Sequence, residues 1–254
     1  MIFDSHAHYD DDVFDEDREE LLFQMRRNHI ETIINVAASV DGITRTVELA
    51  GKYPFIYAAI GVHPDEVGQM DDEVISHMHE LCKQDKIIAV GEIGLDYYWD
   101  KENHKNQLFW FERQMEVARA EKLPFIIHSR EAAADTLEAA KRLRAGEIGG
   151  VIHCFSYGKE IAREYLNMGL YLGIGGVVTF ANARKLKEVV EYVPLESLLL
   201  ETDCPYLAPV PFRGKRNSSL NIPYVIEEIA RIKHISPEVV EAVTYENARK
   251  LFGI

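Results

Sequence analysis

Short apolar runs typical of β-strands alternate with longer segments of helical periodicity along the chain, and this alternation limits the fold more than any other feature. The strand-like runs are Ile2 to His6, Thr32 to Ala37, Phe55 to Ile60, Ile87 to Gly91, Phe125 to His128, Val151 to His153, Leu170 to Ile174 and Leu198 to Glu201. Helical periodicity is clear in residues 106–122 and 132–144, where apolar side chains recur every three or four positions. Such an alternation predicts an α/β fold built on a parallel sheet.

The number of strand-like runs favours a closed sheet. Eight strand–helix units in 254 residues match the strand number and usual length of a (β/α)8 TIM barrel. After the last unit, Ser236 is a suitable helix N-cap, Pro237 suits the first helical position and Glu238 adds an acidic first turn. A doubly wound open sheet is the alternative, with its ligand at one switch point. We predict a single domain over residues 1–254, a TIM barrel with an additional C-terminal helix.

Composition and charge exclude several classes of protein. Hydrophobic residues make up 47% of the chain, no low-complexity tract occurs, and no apolar run approaches the length of a membrane span. The N-terminus lacks the basic and apolar regions of a signal peptide, so we expect a cytoplasmic protein without membrane association. A net charge of −14 argues against broad electrostatic binding to nucleic acid, although divalent cations in a cleft would still attract an anionic substrate.

A His-x-His pair closes the first predicted strand. Because strand side chains repeat every second residue, His6 and His8 project from one face and can bind one ion. His77 and His79 have the same spacing inside a segment of helical periodicity, where residues two apart point in different directions. We therefore predict a metal site at the first pair and a solvated helix face at the second.

Further potential metal ligands lie at the C-terminal ends of other predicted strands. Glu92, His128, His153 and Asp203 all follow apolar runs. Burying so many ionisable groups is costly unless ions or partners compensate them. Four histidines and two carboxylates exceed what one ion with an open coordination position would use. We therefore predict two divalent metal ions, with zinc, manganese and magnesium as the candidates.

The three cysteines, Cys82, Cys154 and Cys204, are an odd number at spacings that suit neither a disulfide framework nor a zinc ribbon. We expect them to be reduced thiols. Cys154 and Cys204 directly follow predicted ligands, and strand alternation would turn both to the opposite face. Both are therefore expected to be small packing residues rather than nucleophiles.

Seven motifs surround the predicted ligands. They are FDSHAH at 3–8, GVHP at 61–64, GEIGLDY at 91–97, PFIIHSR at 124–130, HCFS at 153–156, ETDCPYL at 201–207 and RGKRN at 213–217. In this order they resemble the TatD-type metal-dependent deoxyribonucleases of the amidohydrolase-like barrel group, over nearly the whole chain. The resemblance implies one metal held by His6, His8 and Asp203, a second held by His128 and His153, and Glu92 bridging the two. Tyr157, where the family usually has Gly, and Ser218–Ser219, where Glu-Pro is commoner, depart from the pattern outside the ligand set.

Two further residues are candidates for roles beside the metals. Glu201 lies two residues before Asp203 and shares its face while both are extended, so it is a candidate for orienting a ligand or a water. A structural ion pair is the alternative. His63 follows the third predicted strand and is a candidate for contacting a substrate phosphate or orienting a ligand, with capping of its loop as the alternative.

Basic and aromatic side chains near the predicted site could bind a nucleotide. The candidate phosphate-binding residues are Arg130, Arg213, Lys215 and Arg216, with a solvated surface as the alternative. Tyr97, Tyr98 and Trp99 follow Glu92 closely and either stack on a base or pack within their loop.

Together these features predict a two-metal phosphodiesterase with DNA as the expected substrate and RNA as an open alternative. Its catalytic residues would be Glu92, Glu201 and Asp203, with Asp203 as the proton acceptor for the attacking water. The small number of basic residues predicts a preference for strand ends or single strands. The alternatives are a metal-dependent amidohydrolase acting on a small amide, lactone or nucleobase, and a non-catalytic barrel. No obligate protein partner is expected.

Overall fold

The computed structural model, which describes residues 1–99 and 101–254, contains one sheet of eight parallel strands in the order of the sequence. The strands are β1 Ile2–Ala7, β2 Ile30–Val36, β3 Ile56–Ile60, β4 Ile87–Asp96, β5 Phe125–Arg130, β6 Gly150–Ile152, β7 Tyr171–Ile174 and β8 Leu198–Leu200. A parallel bridge between Ala7 and Cys204 joins β1 to the segment after β8, so the barrel is nearly closed. The predicted TIM barrel is confirmed.

The helices occupy the connections between the strands and the end of the chain. The α-helices of the described residues are α1 Arg18–Met25, α2 Val40–Lys52, α3 Asp72–Leu81, α4 His104–Glu121, α5 Ala133–Arg142, α6 Lys159–Asn167, α7 Arg184–Tyr192, α8 Ile222–Lys233 and α9 Pro237–Phe252. The additional C-terminal helix, α9, begins at Pro237 after Ser236, as predicted. None of these helices is long and apolar enough to cross a membrane.

The second His-x-His pair lies on a helix, as its spacing predicted. On α3, the buried Met78 separates His77, which is exposed, from His79, which lies 2.6 Å from the carboxylate of Glu121 on α4. The two imidazoles therefore have different environments and do not form a common pair of ligands.

The hydrophobic core has two layers, as expected for a barrel. The larger layer packs strands against the surrounding helices. The smaller layer draws side chains from all eight strands, which places it in the barrel lumen. Ala248 and Phe252 of α9 join this inner layer, and the Phe252 ring stacks on Phe3 with centroids 5.9 Å apart. Helix α9 therefore closes the N-terminal end of the barrel and leaves the C-terminal end open.

Side-chain hydrogen bonds complete the seam between β1 and β8. The carboxylate of Asp4 accepts hydrogen bonds from Thr202 Oγ1 at 2.7 Å, from the Thr202 backbone N–H at 3.0 Å and from Ser219 Oγ at 2.6 Å. Burial raises the pKa of Asp4 to about 7, even though these donors lower it. Ser219, one of the departures from the family pattern, thus has a role in closing the barrel.

We expect Phe252→Ala to lower the free energy of unfolding by about 3–5 kcal/mol, because it removes the largest contribution of α9 to the lumen and leaves a cavity. Guanidinium unfolding monitored by circular dichroism measures this change. Phe23→Ala, at an α1 side chain that is 64% exposed, is the matched control and should change stability by about 0.5 kcal/mol or less. Equal effects of the two substitutions would contradict the assigned role of α9.

Candidate metal centre

The six predicted metal ligands converge at the open, C-terminal end of the barrel. His6 and His8 come from the end of β1, Glu92 and His128 come from β4 and β5, and the other two lie one and three residues after the ends of β6 and β8. Those other two are His153 and Asp203. All but the fully buried His6 line a cavity of about 890 Å³. The barrel therefore brings together side chains that are far apart in the sequence.

Four of these side chains form a first group of ligand atoms. His6 Nε2 lies 3.0 Å from His8 Nε2, 3.3 Å from Glu92 Oε2 and 3.8 Å from Asp203 Oδ1. His8 Nε2 lies 3.4 Å from Asp203 Oδ1 and 3.7 Å from Glu92 Oε2. Ligands about 2.1 Å from a tetrahedral ion are about 3.4 Å from one another. The spacing of this donor set therefore fits one divalent metal.

The tautomer of His8 directs its free nitrogen toward this group. His8 Nδ1 lies 2.8 Å from the carbonyl oxygen of Val36, which can only accept, so Nδ1 carries the proton and donates it. Nε2 is then left facing His6 Nε2 at 3.0 Å. Two imidazole nitrogens at this distance repel unless a proton or a cation lies between them. The arrangement is thus suited to a cation.

Glu92 connects the first group of ligand atoms to a second. Its Oε2 faces the His6–His8 pair, whereas its Oε1 lies 2.7 Å from His128 Nδ1 and 3.7 Å from His153 Nε2. The side chain is only 5% exposed. One carboxylate therefore presents an oxygen to each of two histidine pairs.

Carboxylates support the two histidines of the second group from behind. Asp96 Oδ2 lies 3.0 Å from His128 Nε2, and Glu201 Oε1 lies 3.2 Å from His153 Nδ1. Glu201 and His153 are at ion-pair distance, but their atoms are not aligned for a hydrogen bond. Glu201 Oε1 also accepts a hydrogen bond from the Cys154 backbone N–H at 2.7 Å. Such partners orient an imidazole and increase its basicity as a metal ligand.

Asp96 is a site residue that the sequence reasoning missed. The predicted fourth strand ended at Gly91, but β4 continues to Asp96. Gly94 makes this continuation possible, because a Cβ at that position would collide with the carbonyl oxygen of His128 on β5. The conjunction of Gly and Asp in the GEIGLDY motif was the available signal.

Opposite charges set the protonation of the centre. Burial would raise the pKa of Glu92, but the imidazoles of His153 and His6 outweigh it and hold this pKa well below its usual value. Burial likewise lowers the pKa of His8 and His153, yet the neighbouring carboxylates raise them to about 10 and about 9. Without a metal, the carboxylates are therefore ionised and these imidazoles carry protons at neutral pH.

His63 lies at the edge of this centre. It lines the cavity, and its Nε2 is 3.9 Å from Glu92 Oε1. Its Nδ1 accepts the backbone N–H of Asp65 at 3.2 Å, so the neutral ring carries its proton on Nε2. Burial and the neighbouring His128 lower its pKa to about 3, which keeps the ring neutral. His63 thus caps its own loop and also presents an N–H donor to the cavity.

The structure separates the four predicted basic residues. Among the described residues that line the cavity, Arg130 is the one member of this set. Arg216 instead donates hydrogen bonds to the carboxylate of Asp17 at 2.8 Å and to the backbone carbonyl of Val13 at 2.9 Å. Arg213 stacks 4.3 Å from the centroid of Phe180, and Lys215 is exposed. The three residues after β8 therefore do not join Arg130 at the metal centre.

The two cysteines beside the ligands differ. Cys204 is fully buried, as predicted. For Cys154 the predicted orientation is wrong: its thiol lies within 4.8 Å of ligand atoms of His153 and Asp203, and it lines the cavity. Strand alternation does not extend to Cys154, because β6 ends at Ile152 and the backbone turns to φ 45°. Burial raises the pKa of this thiol well above its usual value, so it is no ready nucleophile.

A parallel (β/α)8 barrel with histidines and carboxylates gathered at the C-terminal ends of its strands has the architecture of a metal-dependent hydrolase. Residues 3–253 match the family model described as TatD related DNase. The uncharacterized metal-dependent hydrolase YabD of Bacillus subtilis is 44% identical over the full length of both chains. The uncharacterized metal-dependent hydrolase YcfH of Escherichia coli K12 is 35% identical over 100% of this chain and 96% of its own. The chain therefore belongs to the TatD family of metal-dependent hydrolases.

Solved structures agree with this assignment. The TatD homologue YjjV of Escherichia coli superimposes with a TM-score of 0.94, at 29% identity over 100% of this chain and 98% of its own. A TatD family hydrolase of Entamoeba histolytica gives a TM-score of 0.89 at 26% identity, over 99% and 97% of the two chains. Fold and family thus extend over the whole length.

We expect divalent metal to bind with release of more than one proton at pH 7, because it must displace protons from imidazoles whose pKa values reach about 9 and 10. The affinity should therefore keep rising between pH 7 and pH 9, above the range in which an ordinary histidine titrates. Calorimetric titration with Mn²⁺ at several pH values, in buffers of different ionisation enthalpy, gives both the metal affinity and the number of protons released. An affinity that levels off by pH 7 would contradict the assigned charge state.

Proposed function

We propose that the protein hydrolyses phosphodiester bonds of DNA with two divalent metal ions. The observation that carries the proposal is the position of Glu92, whose two oxygens face two separate histidine pairs. Two divalent ions held by these residues would lower the pKa of a water toward neutrality and would polarise the scissile phosphate. The family description, TatD related DNase, supports the same reaction class.

Asp203 has the position of a proton acceptor at this site. Its Oδ1 lies 3.4 Å from His8 Nε2 and 3.7 Å from His153 Nε2, and it faces the cavity with 18% of the side chain exposed. Burial raises its pKa, but the hydrogen bond with His8 and the nearby imidazoles lower it below the usual value. The carboxylate is therefore ionised at neutral pH and available to accept the proton of an attacking water.

Two other residues act on the ligands and on the substrate. Glu201 holds the imidazole of His153 and the backbone of Cys154, so it is a positioning residue for the second histidine pair. His63 presents its Nε2–H toward the cavity and can donate a hydrogen bond to a phosphate oxygen.

The shape and charge of the cavity favour strand ends or single strands. Its volume of about 890 Å³ suits a small ligand or a few nucleotides of a single strand rather than a long duplex. Three aspartates of the β1–α1 connection, Asp10, Asp11 and Asp12, lie on its wall. A net charge of −14 gives no broad basic surface for gripping duplex DNA.

The cavity also bears on the alternative substrate class. No lysine occurs among the described residues that line it, so a carboxylated lysine cannot bridge two metals there as it does in many amidohydrolases. This observation favours phosphodiester over amide or lactone hydrolysis.

We expect Glu92→Gln to reduce kcat for single-stranded DNA by at least about 100-fold, because the neutral amide cannot bridge two cations. End-labelled DNA and RNA incubated with Mg²⁺, Mn²⁺ or Zn²⁺ measure activity, cleavage polarity and sugar preference, and elemental analysis measures metal content. Glu138→Gln, at an exposed position of α5, is the matched control. A Glu92→Gln protein that kept its activity and two metals per chain would contradict the bridging role.

Covalently closed circular duplex should be cleaved much more slowly than the same DNA after linearisation, because it offers no strand end to the cavity. Gel analysis of both forms under identical metal conditions measures the ratio. Equal rates would show that the enzyme attacks internal duplex positions and would overturn the proposed preference.

A further inference from the structure

Three aromatic residues follow the end of β4, and they have different environments. The Tyr97 hydroxyl donates to Asp135 at 2.7 Å, and its ring stacks on His104 with centroids 3.5 Å apart. Tyr97 therefore has a packing role. Tyr98 is 41% exposed and Trp99 is 66% exposed. This exposed indole lines the same cavity as the metal ligands.

Arg130 backs this exposed pair. Its guanidinium carbon lies 4.0 Å from the ring centroid of Tyr98 and 5.4 Å from that of Trp99. The two rings are themselves in edge contact, with centroids 4.7 Å apart and an interplanar angle of 83°. Arg130 also lines the cavity. The indole face, the Tyr98 ring and the guanidinium together form a surface that is aromatic and positively charged.

Asp96 fixes this surface relative to the metal centre. Its Oδ1 accepts the backbone N–H groups of Tyr98 at 2.8 Å and Trp99 at 3.1 Å, while its Oδ2 lies 3.0 Å from His128 Nε2. Asp96 is also the register partner of Arg130 across β4 and β5. The buried side chain of Gln107 holds the Asp96 backbone at both N–H and C=O, at 2.9 Å each. One buried carboxylate thus orients a proposed metal ligand and the aromatic pair together.

We propose that Trp99, supported by Arg130, is the stacking surface for the nucleobase of the nucleotide whose phosphate lies at the metal centre. The inference rests on the proposed phosphodiesterase function and specifies its substrate as a nucleotide with an unstacked base. Every base has a π-face that can stack on an indole, and a guanidinium strengthens the contact. The surface therefore recognises the presence of a base and not its identity.

The first test measures stacking directly and does not need turnover. Trp99 and Trp110 are the two tryptophans of the chain, so Trp110→Phe leaves Trp99 as the sole indole fluorophore. With Mg²⁺ present, thymidine 5′-monophosphate should quench or shift its emission, whereas 2-deoxyribose 5-phosphate should leave it unchanged. A nucleotide that has no effect, or a sugar phosphate that has the same effect, would overturn the proposal.

The second test compares single-stranded oligonucleotides with and without tetrahydrofuran abasic residues at both ends. Trp99→Ala should lower kcat/KM for the base-bearing substrate by about 5- to 150-fold, equivalent to about 1–3 kcal/mol per stacked base. It should not change kcat/KM for the abasic substrate, and Trp99→Phe should restore most of the loss. Phe23→Ala is the matched control, because Phe23 is 64% exposed and forms a cation–π pair with Arg27 away from the cavity.

The outcomes separate the two proposals. If Trp99→Ala lost the same factor in kcat/KM on both substrates, the stacking role would be overturned, whereas the proposed nuclease function would not be contradicted. A wild-type protein that hydrolysed no oligonucleotide would overturn the proposed function, while the fluorescence titration would still report whether Trp99 binds a base.

Discussion

Charge compensation around the buried carboxylate of Glu92 is the interaction on which the rest of this structure depends. A barrel that gathers histidines and carboxylates at the open end of its strands must offset the cost of removing them from water. Glu92 does so by facing His6 and His8 through one oxygen and His128 and His153 through the other. The resulting site is strongly polar and carries both charges at close range. Binding of a divalent cation there would release protons from the imidazoles.

The two ends of the barrel divide stability from chemistry. Helix α9 fills the N-terminal end with apolar side chains, and no part of the proposed chemistry lies there. The C-terminal end carries the ligands, and it gains its order from polar contacts such as those of Asp96 and Glu201. Substitutions at the N-terminal end should therefore lower stability, whereas substitutions at the C-terminal end should impair function.

Much of this site could be predicted from the sequence, because periodicity places His6 and His8 on one strand face and apolar strand-like runs lead directly to Glu92 and His128. What failed depended on where strands end in three dimensions. The extension of β4 brought Asp96 into the site, and the early end of β6 turned Cys154 toward it. The pairing of Arg216 with Asp17 joins segments at opposite ends of the chain, which no local pattern reveals.

The seam between the first and last strands has a consequence for assembly. Asp4 on β1 binds Thr202 and Ser219, and the same junction places His6 beside Asp203. The first ligand group therefore exists only after the chain has closed on itself, at the entropic cost of joining its most distant segments. Metal binding at that group would therefore report whether the two ends of the sheet have met.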